Sequence, residues 1–204
     1  MHISEGVLIP EIIIPSSIVT VCFVGFLLYK AQIQDIVKIA CFSAIFFVAS
    51  FIHLPIGDTS IHLILSGFIG AVLGINVFLA IFVGLFLQGV FFAYGGITTL
   101  GINSLIIGFP AIFAPFFLKF KNRKFAFFLA GFFPILISSI FLSAILAING
   151  EDFSLVAKLA FIYNLPLSFI EGIISLFGLN FIYKINKELL KWKKSHFYRF
   201  FALF

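Results

Sequence analysis

Long apolar blocks follow one another along almost the whole of this chain, and they constrain its fold more than any other feature. Several blocks are long enough to cross, as a helix, the roughly 30 Å of hydrocarbon in a bilayer. With 62% hydrophobic and 10% charged residues among 204, the chain has too little polar surface to cover a water-soluble globule of its size. The sequence therefore predicts an all-α polytopic membrane protein.

Apolar runs and the breaks between them delimit about seven transmembrane helices. The third and fourth are separated only by Gly74-Ile75-Asn76, and small residues spaced along the third, such as Gly67 and Gly70, favour close helix packing. The seventh contains Pro166, which should kink it or end one half. We expect the spans at residues 12–29, 38–54, 61–75, 77–94, 104–120, 125–148 and 155–184.

The positive charges indicate the orientation, because cytoplasmic loops of membrane proteins carry the excess of Lys and Arg. Seven spans with the N-terminus outside place every loop cluster of Lys and Arg, and the C-terminus, in the cytoplasm. The loops 55–60, 95–103 and 149–154 contain no Lys or Arg, so we expect them outside. The cytoplasmic clusters are Lys30 and Lys38, then Lys119, Lys121, Arg123 and Lys124, then Lys187, Lys191, Lys193, Lys194 and Arg199.

One membrane domain is expected over residues 1–190, with an N-terminal segment at 1–11 and helices between about 12 and 184. Residues 191–204 should be a basic cytoplasmic tail, in which His196 is solvated. These positions account for the net charge of +5, so we predict a lipid bilayer and no nucleic acid as partner. The sequence has no P-loop, HExxH or GxSxG motif, so we do not expect an enzyme.

Met1 and His2 form a candidate metal site. No Lys or Arg precedes the first apolar block, which is unlike a signal peptide, so Met1 should remain on the mature protein. The Met1 α-amine, the His2 amide and its imidazole Nδ1 can chelate one cation through three nearly coplanar nitrogens. A fourth nitrogen would complete a square plane, which favours Ni(II) or Cu(II), and accepts Co(II). The alternative is that His2, like most second-position histidines, binds nothing.

His62 is the candidate fourth donor on the same predicted outer face. Asp58-Thr59-Ser60 predicts an N-cap for the third span, which would place His62 in its first turn, where the helix dipole disfavours imidazolium. The alternative is an interfacial histidine bonded to the backbone. Further residues that could orient the ligands are His53, Asp58, Ser60 and Asn103.

Glu171 is a carboxylate deep inside a predicted span, where a charge facing lipid would cost about 2.5–3.5 kcal/mol. It should therefore face the protein interior, be protonated, or lie at an interface created by the Pro166 break. Two roles remain open, a proton-coupling group and a paired structural or partner-contact residue.

Five segments together match the pattern of a known family. They are Met1-His2-Ile3-Ser4-Glu5-Gly6-Val7-Leu8, residues 52–63, residues 87–103, Asn164-Leu165-Pro166 and Ile170-Glu171-Gly172. They resemble the CbiM/NikM family, the substrate-binding membrane components of energy-coupling-factor importers for cobalt and nickel. The resemblance extends from residue 1 to about 190. Asp58 departs from the proline or glycine expected there, which could alter metal preference.

The resemblance implies that Met1, His2 and His62 bind the transported Co(II) or Ni(II), with no prosthetic group. It also implies partners, namely a coupling transmembrane protein, cytoplasmic ATP-binding subunits and a possible small accessory membrane subunit, in a bacterial or archaeal cytoplasmic membrane. The sequence does not decide between cobalt and nickel. Two alternatives remain, a stand-alone carrier or channel with Glu171 as a proton-linked group and a purely structural membrane subunit.

Overall fold

The structure, a computed structural model, describes residues 2–56 and 59–190, and for residues 53–61 it describes the backbone alone. This part of the chain is helical apart from one short hairpin, and 3-10 turns cover Gly74–Asn76, Glu151–Phe153 and Lys187–Leu190. The elements are α1 (Pro10–Lys30), α2 (Ile33–Ala49), β1 (His53–Ile56), β2 (Thr59–His62), α3 (Ser66–Leu73), α4 (Val77–Phe92), α5 (Leu100–Ala111), α6 (Ala114–Phe117), α7 (Arg123–Asn149) and α8 (Ser154–Ile185).

Five helical stretches of the described chain are long and apolar enough to cross a membrane. They confirm the expected helical, multi-pass architecture. The third and fourth predicted spans fall within one of these stretches, and α2, with 17 residues, is about 25 Å long. The number of seven crossings and the orientation of the termini therefore stay predictions. The five stretches are Pro10–Lys30, Ser66–Phe92, Leu100–Phe117, Arg123–Asn149 and Glu151–Ile185.

His53–Ile56 and Thr59–His62 form the two strands of a β-hairpin, where the sequence predicted the end of one span and the start of another. β1 pairs antiparallel with β2, with His53 opposite His62 and Ile56 opposite Thr59. The predicted span 38–54 is wrong at its end, since α2 stops at Ala49. The predicted N-cap at Asp58-Thr59-Ser60 is also wrong, since α3 begins at Ser66. The physical reason is that Thr59 and Ile61 are β-branched and favour a strand, whereas threonine is also a common helix cap.

The start of α3 lies inside the protein, packed against α7 and α5. A Cβ added to Gly67 would approach the Cα of Gly131 to 2.8 Å, and one added to Gly70 would approach the carbonyl carbon of Ala111 to 3.0 Å. Ile64 and Ile69 are fully buried here. The small side chains of α3 therefore allow backbones to meet closely, as the sequence predicted.

The two longest helices, α7 and α8, pack antiparallel along their length. Pro166 lies inside α8, which continues from Ser154 to Ile185, so the prediction that the proline might end one half is wrong. Tight contacts such as Gly172 against the ring of Phe128 hold both halves of α8 on α7. Packing of this kind supports a helix through the hydrogen bond that a proline removes.

Candidate metal centre

The imidazole ring of His2, in the N-terminal segment, stacks on that of His62, the last residue of β2. Their ring centroids are 4.7 Å apart and their planes differ by 11°. Both ring nitrogens of His2 are shielded from solvent and make no hydrogen bond within the described structure. Buried polar atoms in proteins are normally satisfied. The two His2 nitrogens are therefore unusual among buried polar atoms, and they are available to a ligand.

The electrostatic environment keeps His2 neutral. Burial lowers the pKa of His2 well below its usual value, and nearby positive charge, including that of His62, lowers this pKa further. A neutral imidazole has a lone pair on one ring nitrogen, whereas imidazolium has none. His2 is thus held in the protonation state that binds a metal ion.

His62 is the last residue of β2, and its ring is oriented by its own backbone. Its Nδ1 lies 3.2 Å from the carbonyl oxygen of Leu63. When Nδ1 donates a hydrogen bond to that oxygen, the lone pair is on Nε2, in the way that many metal-binding histidines are oriented. The prediction that His62 lies in the first turn of a helix is wrong, because the hairpin extends through residue 62. Strand geometry brings its ring to His2 instead.

Asn103 on α5 fixes the backbone directly after His2. Its Oδ1 accepts a hydrogen bond from the Ile3 N–H at 2.9 Å, and its Nδ2 donates to the Ile3 carbonyl at 3.0 Å. The Thr99 hydroxyl lies 3.0 Å from the same carbonyl. Ile3, Thr99 and Asn103 are all buried. Asn103, which the sequence predicted as a residue that orients a ligand, is therefore in position to hold His2 toward His62.

The loop between α4 and α5 holds the next part of the N-terminal segment. The Glu5 carboxylate accepts hydrogen bonds from the Thr98 N–H at 3.1 Å and from the Thr98 hydroxyl at 3.3 Å. The backbone hydrogen bond from Thr98 is the main reason why the pKa of the exposed Glu5 is lowered. At Gly95, where φ is +79°, an added Cβ would lie 2.9 Å from Asn103 Nδ2 and 3.6 Å from His2 Cβ. Only glycine fits at this contact.

Asn149, at the end of α7, holds the far end of the same segment. Its Nδ2 donates to the Val7 carbonyl at 2.8 Å, and its Oδ1 accepts from the Ile9 N–H at 3.0 Å. The sequence analysis did not identify Asn149. The sequence shows Asn149 as an amide side chain at the end of an apolar span, which suggests a polar contact there. It does not indicate that the partner is the N-terminal segment, about 140 residues away.

The other predicted site residues have different outcomes. Met1 and Asp58 lie outside the described residues, as does His196. The backbone of His53 pairs with that of His62, and Ser60 is in β2, but only their backbones are described. Within the described part of the chain, no group of three or more His, Cys, Asp or Glu side chains comes together.

Comparison with known proteins agrees with this picture. Residues 2–189 match the family model CbiM, described as "Cobalt uptake substrate-specific transmembrane region". A putative metal transport protein of Haemophilus influenzae is 30% identical over 199 residues, covering 93% of this chain and 97% of its own length. The cobalt transport protein CbiM of Acetoanaerobium sticklandii is 31% identical over 215 residues, covering 92% and 86%.

A putative fused nickel transport protein NikMN of Archaeoglobus fulgidus is 27% identical over 205 residues, covering 96% of this chain and 70% of its own length. Among solved structures, a crystal structure of a transition metal transporter shares the fold, with a TM-score of 0.78, 22% identity and coverage of 92% and 94%. The family match spans nearly the whole chain. This protein therefore belongs to the CbiM family of cobalt-uptake transmembrane proteins.

Proposed function

We propose that this membrane component of cobalt or nickel uptake captures Co(II) or Ni(II) at Met1, His2 and His62, as the substrate-binding subunit of an ATP-driven energy-coupling-factor importer. The observation that carries the proposal is the pair of adjacent imidazoles of His2 and His62, in which His2 is neutral and has both ring nitrogens free. The family match supports the substrate class.

The proposed ligand set consists of four nitrogens. Three come from the Met1 α-amine and from the amide and imidazole of His2, and the fourth is Nε2 of His62. Nitrogen donors in a plane suit Ni(II) and are accepted by Co(II), whereas Mg(II) and Ca(II) prefer oxygen. An uptake subunit for the two transition metals would in this way reject the abundant alkaline-earth ions.

Ion binding requires the two rings to turn relative to each other. Lone pairs of imidazole nitrogens lie in the ring plane, and the planes of His2 and His62 are nearly parallel. Two nitrogens that bind one ion at about 2.0–2.1 Å must instead direct their lone pairs at a common point. We therefore expect one ring to rotate on binding, with the Asn103 contact holding the His2 backbone meanwhile.

The test is a variant with one glycine added before Met1. This addition moves the α-amine out of chelating position and leaves the membrane helices unchanged, so the purified protein should melt as the wild type does but lose the visible absorption band of square-planar Ni(II). A glycine added after Phe204 is the matched control and should keep the band. His2→Ala and His62→Ala should each weaken Ni(II) and Co(II) binding. Undiminished metal binding by the N-terminally extended protein would refute the site.

The proposed partners are a coupling transmembrane protein, cytoplasmic ATP-binding subunits and a small accessory membrane subunit. The competing proposal is a stand-alone carrier in which Glu171 moves protons. Against it, the Glu171 carboxylate is already engaged by the backbone N–H groups of Ile64 and Leu65. Uptake of Ni(II) or Co(II) into liposomes that contain this chain alone, without ATP, would favour the carrier and refute the multi-subunit proposal.

A further inference from the structure

Glu171 is a fully buried carboxylate on α8 that lies against the chain just after His62. One carboxylate oxygen accepts a hydrogen bond from the Ile64 N–H at 2.6 Å, and both accept from the Leu65 N–H, at 2.9 and 3.0 Å. These contacts join residues more than a hundred positions apart in the sequence. Glu171 therefore fastens the strand that carries His62 to α8.

The fastened segment, residues 63–65, is neither strand nor helix. The Leu63 N–H still bonds to the Ile52 carbonyl beside the hairpin, but the next two N–H groups have Glu171 as their acceptor. Backbone N–H groups inside a membrane protein have no water to bond with, so an internal acceptor is required. Leu65 also has φ of +56°, a left-handed conformation that is unfavourable for leucine. Both features make this segment dependent on Glu171.

The helices around Glu171 pack too closely to let it move independently. The first turn of α3, at Gly67, meets α7 at Gly131, and a Cβ added to Gly131 would lie 2.6 Å from the Glu171 carbonyl oxygen. The start of α3, the middle of α7 and the middle of α8 thus form one junction. The carboxylate of Glu171 lies at this junction.

His2 and His62 are consequently held by different helices. The contact to Asn103 holds Ile3, and with it His2, on α5. His62 comes three residues before Leu65 in the sequence, and three residues span at most about 10 Å of chain. The attachment of Leu65 to α8 therefore limits where His62 can lie, whereas the position of His2 depends on α5.

We propose that Glu171 is the positioning residue for His62: its hydrogen bonds to Ile64 and Leu65 hold the chain after β2 where His62 meets His2. This inference rests on the proposed function. Loss of these hydrogen bonds withdraws one nitrogen donor and leaves the other three in place, so the ion then has a weaker site.

The experiment compares Glu171→Ala and Glu171→Gln with Ser168→Ala as the matched control. Ser168 is also fully buried on α8, but its hydroxyl bonds only within its own helix, to the Leu165 carbonyl. Purified full-length proteins are titrated with Ni(II), and the position of the visible band is recorded with the Kd. Glu171→Ala should raise the Kd roughly tenfold or more, since two buried N–H groups lose their acceptor.

The position of the Ni(II) band distinguishes a role of Glu171 in positioning His62 from a general contribution of Glu171 to stability. In Glu171→Ala the Ni(II) band should shift to the position found in His62→Ala, because three nitrogens remain. Glu171→Gln keeps one acceptor oxygen, so its Kd and its band position should lie between those of the wild type and Glu171→Ala. If the alanine variant does not fold, Glu171→Gln provides the test. Ser168→Ala should match the wild type. A lowered melting temperature with an unchanged band and Kd in the Glu171 variants would overturn the inference.

Failure of the proposed function has a different signature. If the wild type and Ser168→Ala bind neither Ni(II) nor Co(II), the metal site itself is refuted. Hydrogen exchange in peptides that contain residues 63–65 then tests the fastening without metal. Faster exchange in Glu171→Gln than in Ser168→Ala supports the role of Glu171 in holding this segment, and equal exchange overturns it.

Discussion

Replacing Asn103 with alanine should weaken metal binding without unfolding the protein. Asn103 makes paired hydrogen bonds to the N–H and carbonyl of Ile3, directly after His2. The alanine variant leaves the buried Ile3 N–H without its acceptor. The Thr99 hydroxyl lies 3.0 Å from the Ile3 carbonyl but 2.6 Å from the Gly95 carbonyl, and it has one proton to donate. The Ile3 carbonyl is therefore weakened as well, but the larger loss falls on the N–H, because an unpaired buried N–H is tolerated less than an under-satisfied carbonyl.

A buried N–H group without a partner costs about 1–3 kcal/mol. This cost destabilises the state in which the N-terminal segment is docked on α5, because in a released segment the Ile3 N–H can bond to water. If the segment docks when the metal binds, the free energy of metal binding is reduced by the same amount and the Kd rises accordingly. At about 1.4 kcal/mol for each factor of ten, the Kd for Ni(II) should rise roughly 5- to 150-fold.

The assay is calorimetric titration of purified protein with Ni(II) in detergent at one pH, with Asn164→Ala as the control. Asn164 is also a buried asparagine, but its amide bonds to the Ala160 carbonyl of its own helix. The control should therefore keep the wild-type Kd. The reasoning is refuted if Asn103→Ala binds Ni(II) as tightly as the wild type, or if both variants weaken binding equally.

Three further predictions concern packing, the loop glycine and pH. Gly67→Ala places a methyl group against the Ala130 carbonyl oxygen and 2.8 Å from the Gly131 Cα, so it should lower stability to unfolding by about 1–3 kcal/mol. Gly25→Ala, with no atom within 4 Å, should not, and equal melting temperatures would contradict this. Gly95→Ala meets Asn103 and adopts a strained φ, so its Kd for Ni(II) should rise, and a wild-type Kd would show that the loop adapts. The pKa of His2 is lowered in the folded state, so as the pH falls the unfolded chain binds a proton at His2 before the folded protein does. The free energy of unfolding of the metal-free protein should therefore be constant above about pH 6.5. Below that pH it should fall by up to about 1.4 kcal/mol per pH unit. His2→Phe should remove that part of the pH dependence, and parallel pH profiles for the two proteins would contradict it.

The apolar blocks predicted the long helices well and the polar ends poorly. α1, α7 and α8 begin and end within two residues of the predicted spans, because each is one apolar block bounded by charged or turn residues. α2 starts at Ile33, five residues before its predicted start. Its first turn is polar and is held by a capping box between Gln32 and Asp35, which stabilises a helix start outside the apolar run.

The site was predictable only where a local chemical signal existed. His2 and His62 were chosen for their donor chemistry, and the structure brings their rings together, while their role as ligands stays a prediction. The expected helical environment of His62 was wrong because threonine suits both a helix cap and a strand, and Thr59 begins β2. The partners of Glu171 and Asn149 lie 107 and 140 residues away. Contacts at such separations leave no periodic pattern in a sequence.

The attachment of the N-terminal segment has a consequence for biosynthesis. Residues 3–9 leave the ribosome before α5 and α7, yet their anchors are Asn103 on α5 and Asn149 at the end of α7. Chains emerge at about 5–20 residues per second, so this segment waits several seconds for its binding partners. It takes its place only after most of the helices have been inserted. A chain truncated before Asn149 therefore lacks one anchor of the segment that places His2 against His62.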